Sequence, residues 1–392
     1  MISVDEALTL VLSLAAPTGV EDIALQDADG RILARPATSR LTQPPFDAAA
    51  MDGYAIRYAD RHDSLTVVGE AAAGRAWDGL VAPGQAVRIF TGAPVPAGAD
   101  MVVMQENVSR DGQTIRLTDA ADKRNIRARG GDFAAGDTVP AGSRLTAPII
   151  GLLAAMNVPR VTVARAPKVA IIAGGDELVR VGQLPGPGQI ISSNDLAVAA
   201  LARAAGAEAR IMPLARDTED SLRHTFAEAE DADLIVTIGG ASVGDHDLIA
   251  KVSEELGMDR AFHRIAMRPG KPLMAGRLGE TVVLGLPGNP VSAIVCGILF
   301  MQPLIRSMQN DAAPGVVVRR ASLARDLGPE GDRQHYLRAR VTEGATLPVI
   351  EPFDDQDSAR LSLLAQADAL MIRPANDPAR QAGEVVEWIA LR

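Results

Sequence analysis

The stretch Gly239-Gly240-Ala241-Ser242-Val243-Gly244 runs straight into Asp245-His246-Asp247, so glycines that suit a phosphate stand beside carboxylates that repel one. The glycines follow the apolar run Leu234–Ile238, which reads as a buried parallel strand. Backbone N–H groups at its end could therefore approach an anion with no Cβ in the way. Acids at such a place make chemical sense if a hard divalent cation such as Mg²⁺ stands between them and the phosphate. Taken alone, the stretch is also a glycine-rich turn whose Asp247 caps the next helix.

Other segments carry the same double reading. Asp176 and Glu177 follow the strand-like run Val169–Ile172 and could bind a metal or a ligand's polar edge, or simply form a solvated loop. Asp217 opens Asp217-Thr218-Glu219-Asp220, the pattern of a helix cap as much as of a catalytic acid. In Arg268-Pro269-Gly270-Lys271-Pro272 two cations flank a tight turn and could clamp an oxyanion. Gly285-Leu286-Pro287-Gly288-Asn289-Pro290-Val291-Ser292 signals a helix start with Asn289 as cap, and a helix start is itself an anion site. Asp52 before Gly53, the Thr91-to-Gly98 loop, and Asn125 to Asp132 with Arg127 and Arg129 read singly as turns or surface. The histidines at 62, 224, 246, 263 and 335 show no metal spacing, and neither a G-x-G-x-x-G turn after the first strand nor a G-x-x-x-x-G-K-[ST] loop occurs.

The elements that must position these residues alternate between short apolar runs and helix-like segments from Lys168 to about Met308, the signature of a doubly wound parallel sheet. In such sheets ligands bind beyond the carboxyl ends of the strands, where the loops at 174–177, 239–247 and 285–292 all fall. Residues 40–136 and 315–392 hold short β-like runs among Gly and Pro turns and read as small β domains, with 21–39 and 137–165 as a linking layer. The fold class is thus multidomain α/β plus β. At 392 residues the chain has room for several cores. Its net charge of −10 and 3% aromatic content argue against nucleic acid and anionic membrane, so an anionic substrate needs a local cluster of cations. Lysine occurs only at 123, 168, 251 and 271. The single cysteine, Cys296, lies in an apolar run and reads as core. The first residues are acidic and no apolar stretch reaches membrane-span length, which points to the cytoplasm.

Taken in order, Asp47…Met51-Asp52-Gly53-Tyr54-Ala55, Thr91-Gly92-Ala93-Pro94-Val95-Pro96, Gly175-Asp176-Glu177-Leu178, Gly239 to Gly244 with Asp247, Pro269-Gly270-Lys271-Pro272 and Leu286 to Ser292 closely resemble the molybdopterin molybdotransferase family, the bacterial MoeA proteins and the E domain of gephyrin. The resemblance covers nearly the whole chain. It implies an elongated four-domain subunit: an α/β molybdopterin-binding domain (1–20 and 166–314), a linking domain (21–39 and 137–165), a small β domain (40–136) and a C-terminal β domain (315–392). It further implies a homodimer whose site lies between the α/β domain of one subunit and the Asp52 domain of the other. The implied reaction is adenylyl-molybdopterin plus molybdate giving molybdenum cofactor and AMP, with Mg²⁺. Molybdopterin adenylyltransferase and molybdoenzyme chaperones are the implied protein partners.

Carried over position by position, the resemblance gives Asp176, Glu177, Asp217 and Asp247 to the nucleotide and metal site, with Glu177, Asp217 and Asp247 as metal ligands. Gly239, Gly240, Ser242 and Gly244 would line the phosphate cradle, and Asp52, Thr91 and Asp132 would come from the partner's β domain. Lys271, Pro272 and Ser292, with Arg338 and Ser358 of the C-terminal domain, would form the molybdate pocket, and Arg268, Pro287, Asn289 and Pro290 would bind substrate. The chain departs from the family pattern at Arg268 (usually Lys), at Gly131 (usually an acid) and at Asp357 and Ala359 beside Ser358. Two other readings stand beside this one. The related adenylyltransferase lacks the Met51-to-Tyr54 and C-terminal domains, and a non-catalytic scaffold would have no need of Asp176, Glu177, Asp217, Asp247 and Lys271.

Overall fold

The computed structural model describes residues 1–119, 122–239 and 248–391. Of the expected site residues, Gly240, Ser242, Gly244 and Asp247 lie outside these.

The central sheet runs in the order Glu208–Ile211, Lys168–Ala173, Leu234–Ile238, Thr281–Leu286, Met274–Leu278, Asp259–His263. The first four strands are parallel. The last two add antiparallel, so the sheet is mixed where the sequence suggested a purely parallel one. The short Leu278–Thr281 connection explains this, since it is a hairpin turn and leaves no room for a crossover helix. Side chains of Lys168–Ala173 alternate between two cores: Val169 and Ile171 pack with the helices Val4–Ser13, Asn194–Ala204 and Pro290–Met308, while Ala170 and Ile172 pack with Glu219–Glu228 and Leu248–Glu255. Helices thus cover both faces and leave the strand ends to the loops.

The helical stretch Pro290–Met308 is the deepest of these. It is 19 residues long and apolar enough to cross a membrane, a length the sequence reading did not credit, yet 78% of its most apolar window is buried inside the protein. Pro290 opens it, and Pro303 lies in its last two turns. A proline lacks the N–H that would bond the carbonyl four residues earlier and clashes with it. The widened π turn Gly297–Met301 just ahead of Pro303 accommodates this.

The linking layer pairs Val20–Ala24 with Arg160–Ala164 and Ala37–Thr38 with Thr138–Val139, and packs the helix Ala147–Ala155 on its own core. The Asp52 region is a six-stranded sheet in the order Met101–Met104, Gly53–Ile56, Gln85–Ile89, Leu65–Ala71, Thr114–Leu117, Val108–Asp111. Its two faces bury separate clusters, one holding Ala55, Val87 and Val102, the other Tyr54, Ile56 and Met101. In the C-terminal region Gln334–Thr342, Val349–Pro352, Val318–Leu323, Val385–Ala390 and Ala369–Arg373 close on themselves, because the first also pairs with the last. A sixth strand is borrowed from the α/β domain: Met267–Arg268 pairs in parallel with Gln334–His335.

Two outcomes test this packing. A Cβ at Gly53 would stand 1.7 Å from the Val103 carbonyl oxygen, a backbone atom that cannot swing aside. Gly53→Ala should therefore cost about 3 kcal/mol or more, read as a lowered urea midpoint by tryptophan fluorescence. At the borrowed strand, His335 is buried with Nδ1 at 3.1 Å from Glu330. Burial holds its pKa below the ordinary value, Arg268 and Arg338 add to that, and Glu330 opposes it. The unfolded imidazole takes up a proton near pH ~6.5 while the folded one still refuses it. Its contribution to stability is therefore complete above that pH and is lost on acidification through the lower folded value. Melting temperature should fall from about pH 7 to about pH 5, and less steeply for His335→Gln; equal slopes would exclude His335 as the titrating group.

Candidate active site

The loops after the parallel strands meet through their glycines. Gly239 has φ +88 and its N–H donates to the Leu286 carbonyl, and a Cβ there would stand 3.3 Å from the Gly174 carbonyl oxygen. A Cβ on Gly288 would stand 3.5 Å from Gly239 Cα. Three loops thus touch backbone to backbone at the carboxyl edge, as the sequence reading expected, and Asn194 ties the third by donating to the Gly288 carbonyl at 2.7 Å.

Two acids share the first part of this edge. The Asp176 N–H donates to the Asp217 carboxylate at 3.3 Å, and the Asp217 N–H donates to that of Asp176 at 3.4 Å. Gly175 permits this turn: its φ is +148, and a Cβ would lie 2.5 Å from the Glu177 carboxylate folded over it. Asp217 does not cap the following helix. Thr218 does, accepting from the Ser221 N–H, so the Asp217 carboxylate remains at the loop edge with Asp176 and Glu177. Among the described residues no group of three or more His, Cys, Asp or Glu side chains forms a metal cage. The paired carboxylates do fit Mg²⁺, which keeps several waters and takes one or two carboxylates besides phosphate oxygens.

Cations gather at the other end. The turn from Arg268 to Pro272 is seated by Gly270, at φ +115, whose backbone lies so close to Cys296 that a Cβ would stand 2.6 Å from its Sγ. Cys296 is fully buried, and burial pushes its thiol up beyond use as a nucleophile. Arg268 is exposed and Lys271 half-buried, and neither has an ion pair among the described residues. Pro287 and Pro290 bracket the helix start, Ser292 is buried in its first turn, and Asn289 caps by position only: its Nδ2 donates instead to Ser358 Oγ at 3.0 Å. The Ser358 carbonyl accepts from the Val291 N–H at 3.1 Å. Arg338 is 1% exposed, and burial pushes its guanidinium below the ordinary value while Asp355 and Asp357 hold it up and Arg268 opposes them.

Asp52 and Thr91 form their own pair. Thr91 donates both its N–H and its hydroxyl to Asp52 Oδ1 at 2.8 Å, and these bonds hold the exposed Asp52 carboxyl below its usual range. Asp47 accepts from the Arg129 N–H at 2.8 Å and so ties the Asp132 loop to the same face, where the Asp132 N–H donates to the Gln43 carbonyl. Among the described residues no hydrogen bond or ion pair joins Asp52, Thr91 or Asp132 to the acids or cations of the α/β domain.

Some contributors were missed in the sequence. Asn194, His335 and Gln356 act through contacts between residues distant in the chain, and no local pattern marks them. Arg180 and Asp195, paired at 2.7 Å behind the acid loop with Asp195 buried, are of the same kind. A cavity of about 420 Å³ opens at the opposite edge of the sheet, but its Arg210 and Lys168 are already paired with Asp231 at 2.7 and 3.5 Å, so it offers no free cation pair. The glycine edge differs from that cavity in keeping its charges apart, with carboxylates at one end, cations without ion pairs among the described residues at the other, and bare backbone between.

Comparison with known proteins agrees with this layout along the whole length. Residues 2–157 match the MoeA N-terminal region (domain I and II), residues 170–307 a probable molybdopterin binding domain, and residues 320–391 the MoeA C-terminal region (domain IV). A molybdopterin molybdenumtransferase of Nostoc is 37% identical over 96% of this chain and 90% of its own length. One of Bacillus subtilis is 32% identical over 100% of this chain and 94% of its own. The crystal structure of a molybdopterin biosynthesis MoeA protein from Pyrococcus horikoshii superposes over 100% of this chain and 99% of its own, with a TM-score of 0.78 at 31% identity. The chain belongs to the MoeA family.

Proposed function

We propose that this protein is a molybdopterin molybdotransferase, which inserts molybdenum from molybdate into adenylyl-molybdopterin and releases AMP. The observation that carries the reading is the separation of charge along one glycine-lined edge: Asp176 and Asp217 at one end, Arg268 and Lys271 at the other. A tetrahedral dianion needs cations and hydroxyl donors, and in a chain of net charge −10 they must be local. Lys271 and Arg268, with the hydroxyls of Ser292 and Ser358, supply them. Arg268 offers a planar fork of donors, and Lys271 a compact point charge.

At the other end Asp217 and Glu177, with Asp247 outside the described residues, would hold Mg²⁺. When bound, Mg²⁺ neutralises pyrophosphate oxygens and stabilises the charge that develops as that linkage breaks. Asp176 positions Asp217 through the reciprocal backbone bonds, so both carboxylates face the linkage in one arrangement. Gly239 would open the phosphate cradle, whose further expected residues Gly240, Ser242 and Gly244 lie outside the described residues, and the dithiolene end would lie toward Lys271. Water attack on the linkage frees AMP as molybdate passes to the dithiolene. Asp52 and Thr91, exposed and, among the described residues, joined by no hydrogen bond or ion pair to the α/β domain, would complete the site from a second copy of the chain, which makes the working form a homodimer.

The test is direct. Purified protein given adenylyl-molybdopterin, Mg²⁺ and molybdate should release AMP in a molybdate-dependent way and yield active cofactor; AMP release indifferent to molybdate would refute the reading. Asp217→Asn should lower turnover by about two to three orders of magnitude with the melting temperature retained. Lys271→Ala should raise the KM for molybdate, and the KM for adenylyl-molybdopterin should rise much less.

A further inference from the structure

We propose that Gln356 is a positioning residue for the oxyanion end of the site: it sets the plane of the buried Arg338 guanidinium and, through it, the loop that lays Ser358 on the start of the Pro290 helix. This rests on the reading that molybdate binds there. Gln356 Oε1 accepts from the Arg338 backbone N–H at 3.0 Å and from Arg338 Nε at 3.1 Å. Its Nε2 donates to the Arg338 carbonyl at 3.0 Å and to the Phe353 carbonyl at 2.8 Å. A primary amide has two acceptor sites and two N–H groups, so the capacity of Gln356 is fully used. Its orientation is also fixed: turned over, it would set an NH₂ against two donors and an oxygen against two carbonyls.

Arg338 has five N–H groups. One goes to Gln356, an Nη1–H to the Asp357 carbonyl at 2.9 Å and an Nη2–H to the Asp355 carbonyl at 3.4 Å. Two are left over, in a planar group whose tilt is set once Nε is anchored. The loop they border is stiffened from within: Asp355 accepts from the Asp357 N–H at 2.8 Å, and Asp357 from the Ala359 N–H at 2.9 Å. The loop then places the Ser358 carbonyl on the Val291 N–H and its hydroxyl oxygen on Asn289, leaving the hydroxyl hydrogen to donate elsewhere. Removing the amide takes the acceptor from the Arg338 N–H and Nε and a donor from the Phe353 carbonyl, while the Arg338 carbonyl keeps only the Phe353 N–H at 2.9 Å, and the loop must shift to satisfy the groups left over. That shift moves two guanidinium N–H groups and one hydroxyl at the oxyanion end and leaves Asp176 and Asp217 alone.

Gln356→Glu and Gln356→Ala test this in the full-length protein. Glu keeps the shape and the bond to Nε but faces carbonyl oxygens with a carboxylate, and it stands in should the Ala variant fail to fold. We expect the KM for molybdate to rise about 10- to 100-fold in either variant while the KM for adenylyl-molybdopterin stays within about twofold. A role in stability alone would lower the melting temperature and leave that ratio unchanged. A folded variant with unaltered molybdate KM, or with both KM values rising together, overturns the proposal. If wild-type protein shows no molybdate-dependent AMP release, the functional reading fails separately. Calorimetric titration with molybdate alone then decides the positioning role: weaker binding to Gln356→Glu than to wild type supports it, and equal binding, or none to either, overturns it.

Discussion

The burial of the Pro290–Met308 helix is the constraint on which the site depends. Its first turn presents Pro290 and Ser292 to the carboxyl edge of the sheet, and its Cys296 is the surface on which Gly270 seats the Arg268-to-Pro272 turn. Further along, Gly297 lets Leu201 approach so closely that a Cβ would stand 2.9 Å from Leu201 Cδ1, and this brings in the helix whose first residue, Asn194, ties down Gly288. At the far end Gln309 donates to the Ala205 carbonyl, and the Met308 carbonyl accepts from the Thr18 N–H. A helix so enclosed cannot shift without opening the core. The cationic turn and the helix start therefore hold one spacing whether or not an anion lies between them.

Electrostatics explains why acids and cations are kept apart along the edge. Carboxylates beside an oxyanion raise its free energy, and unpaired guanidinium groups beside a cation do the same to the cation. The acids nearest the oxyanion end, Asp355 and Asp357, are both occupied as acceptors of backbone N–H groups within their own loop, and Asp355 also pairs with Arg360 at 2.9 Å. Arg338 is buried, and the three acceptors it meets offset only part of its desolvation, which still holds its guanidinium below the ordinary value. Arg268 and Lys271 carry no such partners among the described residues and are the groups whose charge an incoming anion would find unspent.

What was legible in the sequence is what the chain encodes locally. Apolar runs marked the parallel strands, Gly174, Gly239 and Gly288 marked their carboxyl ends, Pro290 marked the helix start, and an apolar neighbourhood marked Cys296 as core. Misreadings occurred where two local signals compete or where the signal is remote. Asp217 and Thr218 are both good caps, and only the backbone path decides for Thr218. The antiparallel edge strands lack the apolar run that marks a buried parallel strand: Asp259–His263 is polar and mostly exposed, and Met274–Leu278 carries Gly276 and Arg277. The borrowing of Met267–Arg268 by the C-terminal sheet and the clamp of Gln356 on Arg338 join residues far apart in sequence, and no periodicity reports such pairs.

The departures from the family pattern fall where the main chain makes local demands. A Cβ at Gly131 would stand 3.0 Å from the Ala128 carbonyl oxygen, so the turn before Asp132 would have to give by a few tenths of an ångström to take a side chain there. Asp357 accepts from the Ala359 N–H and so makes, with its own side chain, the turn that carries Ser358 to the helix start. Arg268 lies in a strand whose backbone pairs with His335, which fixes the root of a side chain longer and more planar than lysine's. At Asp357 and Arg268 the residue present meets a demand of the main chain beside the groups proposed to meet the anion, Ser358 and Lys271. The backbone at these positions is satisfied by the residue's own side chain at Asp357 and by a strand partner at Arg268, so the local geometry does not depend on the residue type usual in the family.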